Sequence, residues 1–379
     1  MNLTNRTLYI ADNLEVLRGI DSECVDLIYL DPPFNTKRDY EADKNSIASG
    51  ASFKDVWNND DVKLEWYDEV AEHNPYLYQL IQISELLYDK SMKAYLLMLS
   101  IRMIEMHRIL KPTGSIYLHC DPTASHYLKL VMDAVFGKKR FRNEITWKRH
   151  NGSNNAKKYS NIADILLYYC KGINLTWNPQ YTPLSKTRLE AYNRFDPDGR
   201  RWTIGDLTAP KSPHMFTWRG TTPITRGWAF TYEQLEQMYA AGKIITNKKG
   251  NPLKQGRKIY LDNSKGVPPK NIWIDIKNLG NDAEERIGYP TQKPITLLEY
   301  IIKTSSNKGD LVLDPFCGCA TTCVAADLLD RQWVGVDISD YTEKLAKFRF
   351  KKEVDTQMPL FKPTVNINVQ RTPPTRSQQ

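Results

Sequence analysis

The sequence predicts an α/β fold whose regular pattern is interrupted by a basic insert. Three observations predict it. Apolar runs of strand length alternate with helical patterns at both ends of the chain, two such runs finish in Asp-Pro turns at Asp31 and Asp314, and the net positive charge collects between the two regular stretches. At 379 residues the chain exceeds an ordinary single core, so a large domain with an insertion, or two domains, is expected. Its 41% hydrophobic and 25% charged content is that of a soluble globular protein, and no run approaches the ~18 apolar residues of a membrane span. The start, Met1-Asn2-Leu3-Thr4-Asn5-Arg6, has no secretory pattern, so the six cysteines read as reduced thiols in a cytoplasmic setting.

Along the chain, Thr7 to Ile10 reads as a strand, Asp12-Asn13 as a turn, Leu14 to Arg18 as a short helix, and Val25 to Leu30 as a second strand. That strand delivers Asp31-Pro32-Pro33-Phe34. Two prolines fix φ and lack N–H groups, so the turn leaves the sheet with its carbonyls free to accept hydrogen bonds. A carboxylate at Asp31 suits an exocyclic amino group, and Phe34 suits the face of the same ring. Taken alone, the turn serves equally well to end a strand. Residues 35–59 are polar and rich in Asn, Ser, Asp and Lys, which predicts a long mobile loop beside this turn. Met92 to Leu110 predicts an amphipathic helix with Tyr95, Leu96, Leu99, Met103, Met106 and Leu110 near one face, stopped by Lys111-Pro112-Thr113-Gly114. A strand at Ser115 to His119, a helix around Ser125 to Phe136 and a strand at Glu144 to Trp147 come next. His107 and His119 have no Cys or His partner at zinc spacing and read as core or surface residues.

After Cys170 the character changes. Between Lys171 and Glu284 there are 18 Lys+Arg against 10 Asp+Glu, a local excess equal to the +8 of the whole chain. Such a field fits a polyanion-binding insert, with a solvated basic surface as the plain alternative. Trp177, Trp202, Trp218, Trp228 and Trp273 lie there, and most are expected to build a small core. Lys248, Lys249, Arg257 and Lys258 are candidate phosphate contacts. The α/β pattern resumes at Pro294 with a helix to Ser305, a strand at Leu311 to Leu313, a helix from about Thr322 to Leu329 and a strand at Trp333 to Val336. The tail from Glu353, with Pro359, Pro363, Pro373 and Pro374, reads as an arm or a disordered segment.

Asp314-Pro315-Phe316-Cys317-Gly318-Cys319-Ala320-Thr321-Thr322 joins a strand to a helix, and Asp337 comes nineteen residues after Gly318, at the end of the next strand. A small-residue turn with an acid at that distance suits a nucleoside, the acid taking the ribose hydroxyls. The glycine spacing is not that of a dinucleotide site. A nucleoside joined to an amino acid, as in S-adenosylmethionine, fits better, with the Thr321 and Thr322 hydroxyls placed for its carboxylate at a helix N-terminus. Cys317, Cys319 and Cys323 lack a fourth ligand, so buried small residues are expected and no metal.

Asp31-Pro32-Pro33-Phe34, then Gly288-Tyr289-Pro290-Thr291-Gln292-Lys293-Pro294, then Asp314-Pro315-Phe316 with Gly318, in that order, resemble the amino-directed (N6-adenine/N4-cytosine) site-specific DNA methyltransferases of the β arrangement, whose catalytic motif precedes the cofactor motif. The likeness covers roughly residues 5–170 and 286–350. It implies a Rossmann-like S-adenosylmethionine-dependent methyltransferase fold with circularly ordered motifs and an inserted target-recognition domain: residues 1–170 as the first part of the catalytic domain, 171–284 as the insert, 285–352 as the second part, and 353–379 as the tail. It implies S-adenosylmethionine as methyl donor and double-stranded DNA as partner, and it leaves a homodimer and a separate restriction endonuclease open.

Carried over by position, Asp31, Pro32, Pro33 and Phe34 form the catalytic turn. Asp12, with Asn13, resembles the contact to the cofactor adenine, and Asp337, with Ile338 after it, the ribose acid. Gln292, Lys293, Pro294, Asp314, Phe316, Gly318, Thr321 and Thr322 would surround the methionine part. One position departs from the family pattern, Ala320 standing where a second glycine is usual. The implied reaction is methylation of the N6 amino group of a flipped adenine, with Asp31 and the Pro32 carbonyl accepting the two amino protons. Adenine is favoured because the turn starts with Asp. The alternatives are N4 of cytosine and a non-catalytic DNA-binding protein on the same scaffold.

Overall fold

A computed structural model describes residues 2–152, 157, 159–280, 283–357 and 365–377. The chain divides into two compact units, one of Met1–Gln180 with Lys270–Gln379 and one of Tyr181–Pro269. The second is narrower than the 171–284 expected.

The first unit is built on a nine-stranded sheet in the order Ile272–Trp273, Phe141–Lys148, Ala163–Cys170, Leu110–Cys120, Val25–Leu30, Leu311–Asp314, Gln332–Asp337, Thr7–Ile10 and Asn368–Gln370. Neighbours run parallel except at Ala163–Cys170, which is antiparallel to both of its partners. Between Val25–Leu30 and Leu311–Asp314 the winding reverses, and these two strands pair in parallel with Leu27 opposite Val312 and Ile28 opposite Leu313. In open α/β sheets the crevice beyond the carboxyl ends of strands at such a reversal is the ligand site.

Period-two alternation assigns side chains to the two faces. Ile28, Leu30, Leu311, Leu313, Val334 and Val336 join the core that includes the helix Lys90–Ile109. Leu27, Tyr29, Val312 and Trp333 join the opposite core with the helices Ile295–Ser305 and Thr321–Leu328. Both faces of the sheet are therefore covered, which is why these strands read as continuous apolar runs. The helix Lys90–Ile109 begins where the Asp89 carboxylate accepts from Met92 N–H at 2.8 Å, and the six apolar residues expected on its face are all buried. Leu110 is extended and opens the next strand instead of closing the helix. Among the described residues no helix is long and apolar enough to cross a membrane.

Two expectations are corrected. Residues 35–59 contain an antiparallel hairpin, Arg38–Glu41 with Ser52–Asp55, in place of an unstructured loop. Its pairing rests on Tyr40 opposite Phe53, rings stacked at 5.0 Å, too sparse an apolar pattern to register as two strands. The tail is held as well: Asn368–Gln370 pairs in parallel with Thr7–Ile10, and Arg376 and Ser377 bond Arg18 O and the Asp21 carboxylate. Pro359 and Pro363 lie outside the described residues; Pro373 and Pro374 belong to the docked stretch. Its order comes from backbone pairing at a sheet edge, to which composition is blind.

The second unit carries a four-stranded antiparallel sheet in the order Ile244–Thr246, Pro252–Tyr260, Arg201–Gly205 and Arg194–Phe195. Leu207, Trp218, Trp228, Leu235 and Ile244 form its core, Trp218 and Trp228 meeting edge to face at 5.7 Å. Trp202 is buried within it too, whereas Trp177 and Trp273 belong to the first unit. The unit has 15 Lys+Arg against 7 Asp+Glu, so it holds a net +8 by itself.

The loop after Leu311–Asp314 turns through two left-handed residues, Gly318 at φ +50° and Ala320 at φ +61°. Ala320 is the residue before the helix Thr321–Leu328 and is fully buried. The left-handed backbone costs an alanine roughly 1 kcal/mol, while its buried methyl recovers about 0.8 kcal/mol. The two nearly cancel, which explains why alanine is tolerated where glycine is usual. Ala320→Gly should therefore change stability by less than about 1 kcal/mol, whereas Ala325→Gly, buried in the same helix with ordinary backbone angles, should cost roughly 2 kcal/mol. Denaturant unfolding of both variants checks this; equal losses would contradict it.

Candidate functional site

The strand Val25–Leu30 ends by presenting Asp31 at the winding reversal. The residues just after Phe34 are pinned from the hairpin. Asn35 takes φ +60°, its N–H donates to Asp55 Oδ1 at 2.6 Å, and Thr36 N–H donates to Asp55 Oδ2 at 3.0 Å. Burial pushes the Asp55 carboxyl up despite these bonds. Asp55 thus ties the hairpin to the Asp31 turn, a role hidden in a stretch that reads as polar loop.

Asp31 is half-buried and engaged on one side. Lys293, itself buried, donates from Nζ to Asp31 Oδ2 and to Thr291 O at 3.2 Å, and stands 5.4 Å from the centre of the Phe34 ring. Asp31 Oδ1 is buried without a hydrogen-bond partner among the described residues. His119 Nδ1 stands 3.9 Å from it. His119, fully buried, also meets Tyr29 OH at 2.8 Å through Nδ1 and Asp164 Oδ2 at 3.1 Å through Nε2. Burial alone would raise the Asp164 carboxyl, but the bond and charge at His119, with Lys293 and Arg149, hold it below the usual carboxylate range. Isolated in the sequence, His119 lacked any spacing signal; its partners come from neighbouring strands.

The second half of the site lies on the adjacent strand. Asp314 accepts from Phe316 N–H at 3.0 Å and from the Thr322 hydroxyl, and burial still pushes its carboxyl up to about 7. Gly318 is packed against Tyr289, where a Cβ would come within 3.1 Å of the ring. Asp337, raised by burial, accepts from Gly318 N–H at 2.8 Å and Ser339 N–H at 2.9 Å. From the first turn of the chain, Asn13 donates to Pro315 O at 2.7 Å while Arg102 bonds both Asn13 and Asp12. Asp12 also caps the helix Asn13–Gly19.

Every residue named from the sequence for the catalytic turn or for cofactor binding lines one cavity of about 630 Å³ except Pro294, which precedes the helix Ile295–Ser305. Some contacts differ from those expected. The Gln292 amide closes its own loop, accepting from Ile287 N–H and donating to Glu285 O. The Thr321 hydroxyl accepts from the buried Arg349, and the Thr322 hydroxyl is taken by Asp314. Tyr40, Phe53, Trp57, Arg102 and Tyr289 line the cavity too and had no role assigned from sequence. Cys317, Cys319 and Cys323 are buried.

This donor set fits S-adenosylmethionine. Gly318 and Tyr289 pack together in the cavity wall, the Asp337 carboxylate suits vicinal hydroxyls, and Phe316 with Ile338 offers apolar walls. Its size is that of a small-molecule site.

Comparison with known proteins agrees. A profile of the DNA methylase family matches residues 25–348. The type II methyltransferase M.EcaI of Enterobacter cloacae is 31% identical over 355 residues, 92% of this chain and 70% of that protein. The Mod subunit of the type III restriction-modification enzyme StyLTI of Salmonella typhimurium is 28% identical over 353 residues, 87% of this chain but 51% of its own length. The DNA adenine methyltransferase YhdJ of Escherichia coli is 23% identical over 334 residues, 88% of this chain and 79% of that protein. With its profile match spanning most of the sequence and a cavity built from the motif residues, this chain belongs to the DNA methylase family, the N6-adenine/N4-cytosine amino-methyltransferases.

Proposed function

We propose that this chain methylates the N6 amino group of an adenine taken out of duplex DNA, with S-adenosylmethionine as donor. The observation that carries the reading is the sharing of one cavity by Asp31 and the Gly318 loop, presented by adjacent parallel strands. The name of the Escherichia coli relative, an adenine methyltransferase, and the Asp that opens the catalytic turn support adenine.

Asp12 would hold the adenine, Asp337 with Ile338 the ribose, and Phe316 with the Gly318 loop the methionine part. When bound, S-adenosylmethionine supplies an electrophilic methyl group. An aromatic amine is a poor nucleophile because its lone pair is delocalised into the ring. Asp31 and the Pro32 carbonyl, accepting the two amino protons, concentrate that pair on nitrogen. Phe34 stacks on the flipped base. In the resting arrangement the Lys293 ammonium occupies Asp31 Oδ2, which leaves Oδ1 to accept from the target amine.

Asp31→Asn keeps the shape but weakens the acceptor. Methylation measured with labelled S-adenosylmethionine and DNA should fall at least about 100-fold while cofactor affinity stays within about twofold. A wild-type rate would sink the assignment.

The basic unit would supply phosphate contacts. Lys258 is committed to Asp196 at 2.6 Å and Arg257 is half-buried over Phe230, whereas Lys248, Lys249 and Lys254 are exposed. Replacing those three exposed lysines by Gln should weaken DNA binding and flatten log Kd against log salt by about one for each phosphate no longer neutralised. An unchanged slope would place the DNA elsewhere.

A further inference from the structure

We propose that His119, backed by Asp164, receives from Asp31 the proton that the target amine sheds during methyl transfer. This rests on the reading of Asp31 above and adds a destination for the proton. Three features of the geometry carry it. Asp31 Oδ1 is buried with no hydrogen-bond partner among the described residues, a costly arrangement unless some state of the protein supplies a donor. A buried imidazole faces it, His119 Nδ1 at 3.9 Å, beyond hydrogen-bond length. The far nitrogen of that imidazole is held by an ionised acid, Asp164, at 3.1 Å.

The partners dictate the protonation pattern. An ionised Asp164 only accepts, so Nε2 of His119 carries the hydrogen and Nδ1 is left with a lone pair, toward which the Tyr29 hydroxyl donates at 2.8 Å. If Nδ1 gains a proton, the Tyr29 hydroxyl turns to accept, and Nδ1–H can serve Asp31 Oδ1 as well. Charged and titratable groups facing the imidazole are Tyr29 and Asp31 at Nδ1 and Asp164 at Nε2; Arg149 lies 3.3 Å from Asp164 Oδ1, and Lys293 is on the far oxygen of Asp31. Phe34 and Trp147, with ring centres 5.8 and 5.7 Å away, are uncharged rings packed against it. An acid behind an imidazole fixes its tautomer and stabilises the cation that forms.

The step balances. The amine nitrogen forms a bond to the methyl carbon as the carbon–sulfur bond breaks, sulfur keeping the electron pair. The nitrogen is then cationic and holds one proton more than the methylamino product. That proton passes to the Asp31 carboxylate and on to His119 Nδ1, leaving Asp31 ionised and the imidazolium paired with Asp164. Solvent takes the proton after product leaves.

The test is single-turnover methylation by the full chain loaded with labelled S-adenosylmethionine, from pH 5.5 to 9. For the wild type the rate should fall toward low pH, as the accepting nitrogen fills before reaction. His119→Gln, whose amide can still donate to Asp164 but takes no proton, should be slower by on the order of 100-fold and should lack that fall. Its cofactor affinity and thermal midpoint should remain close to wild type. Asp164→Asn should be slower with the fall displaced. A His119→Gln enzyme with wild-type rate and profile would overturn the proposal, as would a loss explained by weaker cofactor binding. If His119→Gln fails to fold, Asp164→Asn decides: a wild-type rate and profile there refute the relay. Asp31→Asn run alongside separates the two claims. Loss there with His119→Gln unaffected ends the relay and leaves Asp31 as the catalytic acceptor; no loss in either removes the reading of Asp31 itself.

Discussion

The site depends on the pairing of two strands far apart in sequence. Val25–Leu30 and Leu311–Asp314 lie side by side in parallel, Ile28 opposite Leu313, and the contact is reinforced where Leu311 N–H donates to Asp26 Oδ2 at 2.9 Å across 285 residues. Parallel neighbours finish at the same edge of a sheet. The two Asp turns therefore arrive together, one suited to an amine and the other to a cofactor. A slip by one residue would turn every side chain to the opposite face. The burial of Ile28 and Leu313 in one core and of Leu27 and Val312 in the other forbids it.

Around that edge, buried charges are used to fix loops that have little apolar surface of their own. Lys293 pins Asp31, Arg102 gathers Asp12 and Asn13, and Arg349 joins Thr321 to Glu353. Each pair gains little over an apolar equivalent, yet removing one member of a fully buried pair such as Arg349–Glu353 leaves an uncompensated charge at a cost of about 3 to 5 kcal/mol. These networks set geometry more than they set stability. The cofactor loop is the clearest case, because its helix starts from a left-handed alanine and is tied down by Asp314, Asp337 and Arg349.

Much of this was legible in the sequence. Strands such as Val25–Leu30 and Gln332–Asp337 are covered on both faces and read as mainly apolar runs, and the turns after them carry distinctive residue types. Features that depend on partners distant in sequence escaped. His119 acquires meaning only from Tyr29 and Asp164 on adjacent strands, and Asp55 only from the turn it clamps. The hairpin at 38–55 hid because one aromatic pair supports it, and the tail strand hid because its order comes from backbone pairing. Charge was the exception: the basic excess needs no partner to be seen, and it falls within one compact unit.

A chain that brings an amine-accepting turn beside a nucleoside-binding loop should leave one chemical mark on DNA. Incubating the purified protein with duplex DNA and methyl-deuterated S-adenosylmethionine, then digesting to nucleosides for mass spectrometry, reads that mark directly. Labelled N6-methyldeoxyadenosine is the predicted product. Labelled N4-methyldeoxycytidine in its place would contradict the adenine assignment, and no labelled nucleoside would contradict the proposed function as a whole.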